Sequence, residues 1–329
     1  MNLVSIVLVA VLILVAIMAL CVGSSGRIGV GDIFNSILGE TPADPLTYTI
    51  LWKIRLPRIL FAVLIGGTLS LGGLVFQALL RNPLAEPYIL GVSGGSAIGG
   101  ILGILAGFSQ FPGVSLSAFA GSMMTLLLVL FVATGQTLLK RDTLLLSGVM
   151  VNAFCGAVIM FLLSMTQDKR IHNILFWLMG DLSAADLKKT GILAASVIPC
   201  FLLIFWLSHS MNLLMMGKQT AQSMGVRIRS VSLALLISTS FMVSATVCHC
   251  GLLGFVGLVM PHLLRTILGA DHRILVPACI IGGGAYLVFC DLFARILPQQ
   301  GEMPTGVITA LIGAPLFVIL LKKSQKNRT

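Results

Sequence analysis

Along the chain, apolar residues gather into long runs separated by short clusters of charged and turn-forming residues. A bilayer core about 30 Å thick takes roughly 20 apolar helical residues to cross. On that measure the runs predict spans at 3–23, 58–80, 88–107, 114–139, 143–166, 190–208, 229–249, 252–268, 274–297 and 305–322. The stretch from Val231 to Met260 is too long for one crossing, and Cys248-His249-Cys250-Gly251 is its most polar point, so two spans are divided there. The first run, Leu3–Val22, carries no charge and follows no basic residue. It also exceeds the apolar stretch of a secretory leader, and is read as a span. The longer polar stretches are 24–57, 167–189 and 209–228, with no linker or low-complexity segment between them. The expectation is an all-α, polytopic membrane protein of about ten transmembrane helices per subunit, forming a single transmembrane domain over 1–329.

Composition strengthens this reading. Of 329 residues, 57% are hydrophobic and 10% charged, whereas soluble domains carry about 25% charged residues. Lipid is therefore the expected solvent. The net charge of +10 is spread over short loops with no basic domain, which argues for loop anchoring and against nucleic acid. Lys322, Lys323, Lys326 and Arg328 place the C-terminus inside, and ten spans then place the N-terminus inside as well. Arg81, Lys140, Arg141, Lys218, Arg227, Arg229, Arg265 and Arg273 fall on the same side, a weak excess. Arg55, Arg58 and Arg295 fall outside, against the trend. Arg55 and Arg58 also stand at a helix N-terminus, where the macrodipole disfavours cations. Two penalties at one place point to an acidic partner, with headgroup anchoring by snorkelling as the alternative.

The seven cysteines lie in or at the ends of apolar runs, as small buried hydrophobes. Cys248-His249-Cys250 has no second cluster to complete a tetrahedral set, and no metal site is expected. The five histidines share no ligand spacing with acids, and no catalytic set assembles. No Gly-Lys-Ser/Thr follows a glycine-rich loop, so no cofactor is expected on this chain and nucleotide chemistry is assigned to another subunit. Gln77 and Asn152 are the deep polar residues, candidates for lining a path or for bonding helices together. Asp291 precedes Arg295 by four residues, the spacing of an ion pair on one helix face. So few intramembrane charges weigh against a self-energised carrier. A secondary transporter is the alternative reading, and an intramembrane enzyme ranks third.

Two segments have further structure. Gly91, Gly95, Gly99, Gly103 and Gly107 recur every fourth residue, a stripe that lets a second helix backbone approach. The inside segment 216–227 reads as a short amphipathic surface helix ended by Gly225, a candidate partner-binding element.

Several motifs are more specific. Arg55-Leu56-Pro57-Arg58 opens the second span, and Gln77-Ala78-Leu79-Leu80-Arg81-Asn82-Pro83-Leu84-Ala85-Glu86-Pro87 closes it, followed by Leu90-Gly91-Val92-Ser93-Gly94-Gly95. Later come Trp177-Leu178-Met179-Gly180, Gly254-Phe255-Val256-Gly257-Leu258-Val259-Met260-Pro261-His262, Asp271-His272-Arg273 and Glu302-Met303-Pro304-Thr305-Gly306. From about residue 50 to 322 the chain resembles the FecCD-type permeases of type II ABC importers, whose members move iron–siderophores, haem or cobalamin. The resemblance implies a FecCD/vitamin B12 permease-like fold in the bacterial inner membrane, and alternating access powered elsewhere. It further implies a homodimer, two ATP-binding cassette subunits carrying ATP and Mg, and a periplasmic binding protein above. By the same resemblance 212–228 matches the coupling helices, with Lys218, Ala221, Met224, Gly225 and Val226 at the ATPase. Arg55, Arg58 and Arg295 match the residues that meet acids of the binding protein. Related chains often carry an acid where Lys218 stands.

Overall fold

A computed structural model describes residues 3–23, 26–29, 31, 45–133, 141–166, 168–298 and 301–326. Lys140 and Arg328, and the side chains of Arg141, Lys218, Lys323 and Lys326, lie outside the described residues. Helix α1 spans Leu3–Cys21 and runs into a two-residue hairpin, β1 (Val22–Gly23) with β2 (Gly26–Arg27). A short helix α2 (Pro45–Thr49) passes through a π-helical turn, Ile50–Arg55, into α3 (Leu56–Leu79). Then follow α4 (Val92–Leu105), α5 (Ser115–Ala133), α6 (Arg141–Ser164), α7 (Asp168–Leu178) and α8 (Leu187–Trp206). The remainder comprises α9 (Ser208–Met216), α10 (Lys218–Ser223), α11 (Ile228–Cys250), α12 (Val256–Leu268), α13 (His272–Ile296) and α14 (Thr305–Lys326).

Among the described residues, seven helical stretches are long and apolar enough to cross a bilayer, and the other three expected spans are the shorter apolar helices Val92–Leu105, Val256–Leu268 and Thr305–Leu320. The break near residue 250 falls where the sequence placed it: α11 ends at Cys250, Gly251 turns the chain at φ 72, and α12 begins at Val256. The polar stretches held more order than their composition suggested. The second span starts early, at Leu46 rather than residue 58, and 167–189 contains the amphipathic helix α7.

Helix α3 is the axis of the fold. Of its most apolar window 83% is buried, against 11% for α1. It packs on α13, α12, α11 and α8, while α1 leans on α13 from outside. In lipid the helices gain little by hiding apolar surface from one another, so close backbone approach has to hold them together. Gly66 on α3 sits against the backbone of Gly283 on α13, and Gly73 sits against the Gly257 carbonyl on α12; a side chain at either place would collide with main chain. Around these crossings Phe61, Ile65, Leu69, Leu71 and Leu74 fill the interior with the buried residues of α13 and α12. Because α3 and α13 run antiparallel, the start of one meets the end of the other. Two polar clusters are thereby set at opposite ends of the molecule.

Candidate functional site

The first cluster gathers the three arginines singled out from sequence. The π-turn and Pro57 start α3 with Arg55 and Arg58 one turn apart, and the last turns of α13 bring Asp291 and Arg295 beside them. Asp291 is the hub. Its Oδ1 accepts from Arg58 Nη2 at 2.8 Å and from Thr305 Oγ1 at 3.1 Å, and its Oδ2 lies 3.2 Å from Arg295 Nε. Arg58 Nη1 also donates to Glu302 Oε2 at 2.5 Å. Arg55 donates to the carbonyls of Leu20 (2.5 Å) and Gly26 (2.7 Å), tucked beneath the hairpin, and Arg295 Nη1 reaches the Ala19 carbonyl at 3.3 Å. All three arginines are buried: Arg55, Arg58 and Arg295 are 2%, 4% and 4% exposed. Membrane burial is costly for a charge without a counterion, which is why carboxylates and carbonyls surround them. Among the described residues, three guanidinium groups face two carboxylates, and Arg295 Nη2 is buried with no hydrogen-bond partner. The Asp291–Arg295 pair was legible from its spacing; Glu302 and Thr305, which come from across the fold, were not.

The opposite end holds the 212–228 segment, in which the end of one short helix is followed by a second, as the resemblance implied. Gly217, at φ 136, separates α9 from α10, and Gly225, at φ 83, closes α10. The closure is a Schellman turn: Gly225 N–H donates to the Gln222 carbonyl and Val226 N–H to the Ala221 carbonyl, each at 3.0 Å. Ala221 is fully buried and Val226 packs against the same core, which roots the turn. Met216 and Met224 point outward, 70% and 59% exposed. Helix α9 is tied to the bundle along its length. Arg81, in left-handed backbone at φ 43, donates to the Leu214 carbonyl. Asn212 Nδ2 donates to Asp271 Oδ1 at 2.7 Å, and its Oδ1 accepts from His272 N–H (2.9 Å) and from the His272 ring Nδ1 (2.7 Å). Arg273 Nη2 meets His209 Nδ1 at 2.9 Å, and a guanidinium only donates, so that ring nitrogen accepts. Asp271 caps α13 by accepting from Arg273 N–H. The Asn212 amide, with the Arg273 N–H, holds its carboxyl below the ordinary carboxylate range. Sequence reasoning passed over Asn212, whose partners stand about sixty positions away.

The remaining candidates lie between the clusters. Gln77 Nε2 approaches the Leu258 carbonyl at 3.5 Å and Asn152 Nδ2 donates to the Tyr88 carbonyl at 3.1 Å, so both bond one element to another. Gly95, Gly99 and Gly103 face α5, where added side chains would meet Gly121, Thr125 and Ser117. Gly91 and Gly107 depart from that stripe: they lie just outside α4 at φ 80 and φ 76 and turn the chain at its two ends. An apolar groove of about 580 Å³ runs beside α14, walled by Leu178, Met179, Leu252, Val307, Ala310 and Leu311.

Comparison with known proteins places this architecture. The FecCD transport family matches residues 11–323, nearly the whole chain. The chain belongs to the FecCD transport family. The permease is 36% identical to the vitamin B12 import system permease protein BtuC of Salmonella arizonae over 95% of this chain and 92% of that protein. It is equally similar, at 36%, to BtuC of Shigella boydii over 96% and 93%. Among solved structures it superposes on an inward-facing ABC transporter assigned to the metal-chelate type with TM-score 0.87 and 31% identity, covering 97% of this chain and 99% of that one. PsaBC from Streptococcus pneumoniae shares the fold at TM-score 0.56 and 16% identity, over 80% of this chain and 89% of that one. The permease is thus the membrane subunit of an ABC importer and not an enzyme, with ATP hydrolysis in a separate ATPase subunit.

Proposed function

We propose that the permease imports a metal chelate across the bacterial inner membrane, with a corrinoid as the first candidate and iron–siderophore or haem as the others. The observation that carries this reading is the end-to-end likeness to permeases named for vitamin B12 import. It works as one transmembrane domain in a homodimer, with two ATPase subunits that bind ATP and Mg and a binding protein that delivers the chelate. Both termini face the cytoplasm. The arginine cluster then lies outward and the 212–228 segment inward, seated on the ATPase through Lys218, Ala221, Met224, Gly225 and Val226.

Two features support this orientation. The outward cluster has three guanidinium groups against two carboxylates, an excess of positive charge that suits an acidic partner. The exposed methionines around the Schellman turn give the inward end an adaptable apolar face. The apolar groove beside α14 is assigned to the two-fold interface and the path, where a bulky chelate meets few charges. The test is uptake into liposomes holding the permease, its ATPase and its binding protein. Radiolabelled cyanocobalamin, a ferric hydroxamate and haem are offered in turn, with and without ATP. ATP-dependent uptake of one chelate is expected; accumulation driven by an ion gradient alone would make the permease a secondary carrier.

A further inference from the structure

The hydrogen bonds at the inward end are unevenly shared. Helix α9 has several tethers, but only Asn212 joins it to the capping residue and first residue of α13 together. Its amide is used in both senses: the NH₂ group donates to Asp271, and the oxygen accepts twice from His272. Since that oxygen can only accept, the ring carries its proton on Nδ1, leaving Nε2 as an acceptor. Nε2 is buried with no hydrogen-bond partner, so among the described residues Asn212 is the one group that orients the His272 ring. Helix α13 runs from this joint through the Gly66–Gly283 crossing to Asp291 and Arg295 at the far end. One continuous helix, with Pro277 inside it, therefore connects the two polar clusters.

We propose that Asn212 is a positioning residue of the transport cycle: its amide fastens the α9–α10 segment to the first turn of α13 and carries displacement of that segment along the helix to the arginine end. The proposal rests on the coupling role given above to 212–228. A side chain with one donor group and one acceptor in a planar amide is needed. Aspartate at 212 would keep the bonds to His272 but set a carboxylate against Asp271. Asp271 Oδ1 accepts from both Asn212 Nδ2 and the Arg273 N–H, so no amide at 271 could take over both bonds.

The test uses the permease assembled with its ATPase in nanodiscs. Spin labels are placed at Ile296 and Leu116, both exposed near the outward end, in a background carrying Cys21→Ser and Cys200→Ser, the two cysteines that are not buried. Trapping with ATP and vanadate is expected to shift the label distance in the wild type. Asn212→Asp and Asn212→Ala should keep ATP hydrolysis while cutting the shifted population about fivefold, the scale of a coupling residue that touches neither ligand. A wild-type shift in both variants, or no shift in the wild type, would each overturn the proposal. Gly225→Val separates it from the reading beneath. That position is at φ 83 with open space around it, so the change strains only the turn that closes α10. If Gly225→Val leaves ATPase assembly and the shift untouched, the coupling role of 212–228 fails. If Gly225→Val abolishes the shift and the Asn212 variants do not, only the joint fails.

Discussion

Arg58 Nη2 lies 2.8 Å from Asp291 Oδ1, joining the first turn of α3 to the closing turns of α13 across 233 positions of sequence. The same carboxylate takes Arg295 and Thr305, so three groups from three helices converge on one buried acid. Removing a single partner from such a set is more damaging than never having built it, because the others stay buried with their charge uncompensated. Asp291→Ala is therefore expected to destabilise the permease by about 3–5 kcal/mol. Glu302→Gln, at a partly exposed carboxylate, should cost far less. Thermal unfolding in detergent, followed by monodispersity on size exclusion, reads the difference; equal midpoints for the two variants would contradict the hub assignment.

A second prediction concerns backbone contact. At Gly73 a methyl group would press on the Gly257 carbonyl, which belongs to main chain and cannot swing aside. Among the described residues, a methyl group added at Gly156 on α6 would meet nothing within 4 Å beyond its own helix. Gly73→Ala should lower the unfolding midpoint by pushing α3 and α12 apart, whereas Gly156→Ala should leave it unchanged or raise it, since alanine gains about 1 kcal/mol over glycine in a helix. Melting curves of the two proteins side by side settle the matter. A harmless Gly73→Ala would mean that α3 and α12 are free to separate.

These outcomes mark how much could be read from the chain itself. Helices and their ends were visible because apolar run length and turn residues are local: Gly251 and Gly225 each announced the turn that the backbone makes. The glycine stripe was half visible. Periodicity alone does not tell Gly99, which faces Ser117, from Gly107, which ends the helix. The arginines drew notice as misplaced charges, but their burial depends on Asp291, Glu302 and the Leu20 and Gly26 carbonyls, contributed by distant segments. Asn212 carried no local signal at all. An asparagine in a polar stretch is unremarkable until the fold sets it against Asp271 and His272.

The Asn212–Asp271 contact predicts a titration. A native carboxyl held below its ordinary range stabilises the fold above its unfolded pKa, about 3.9 for aspartate. That contribution is lost as pH falls through the depressed native value. The capping contact of Asp271 should accordingly survive mild acid and fail only below the usual carboxylate range. Asn212→Ala removes the largest cause of the depression, so the Asp271 pKa should rise and the window of loss move to higher pH. Carboxyl-carbon chemical shifts of labelled aspartate in nanodiscs, assigned with Asp271→Asn, measure both values. An unchanged pKa in Asn212→Ala would mean that the amide does not hold the carboxylate in solution.

The burial of Arg55, Arg58 and Arg295 changes how the docking role proposed for them is to be tested. Reversing Arg58 to glutamate would place a third carboxylate beside Asp291 and Glu302, and the fold itself would suffer before any partner was met. Glu302→Gln is the cleaner probe. It removes one negative charge from a cluster of three guanidinium and two carboxylate groups, and leaves the Asp291 hub in place. Charges of this kind act chiefly on encounter and its salt dependence rather than on final affinity. If an acidic group of the binding protein docks here, Glu302→Gln should speed association a few-fold at low salt, and the gain should fade as ionic strength shortens the reach of charge to about 8 Å at physiological salt. Surface plasmon resonance with the permease in nanodiscs and the binding protein in solution gives both rates. Association that is unchanged at every salt concentration would remove the arginine cluster from the docking surface and leave it as a structural knot between α3, α13 and α14.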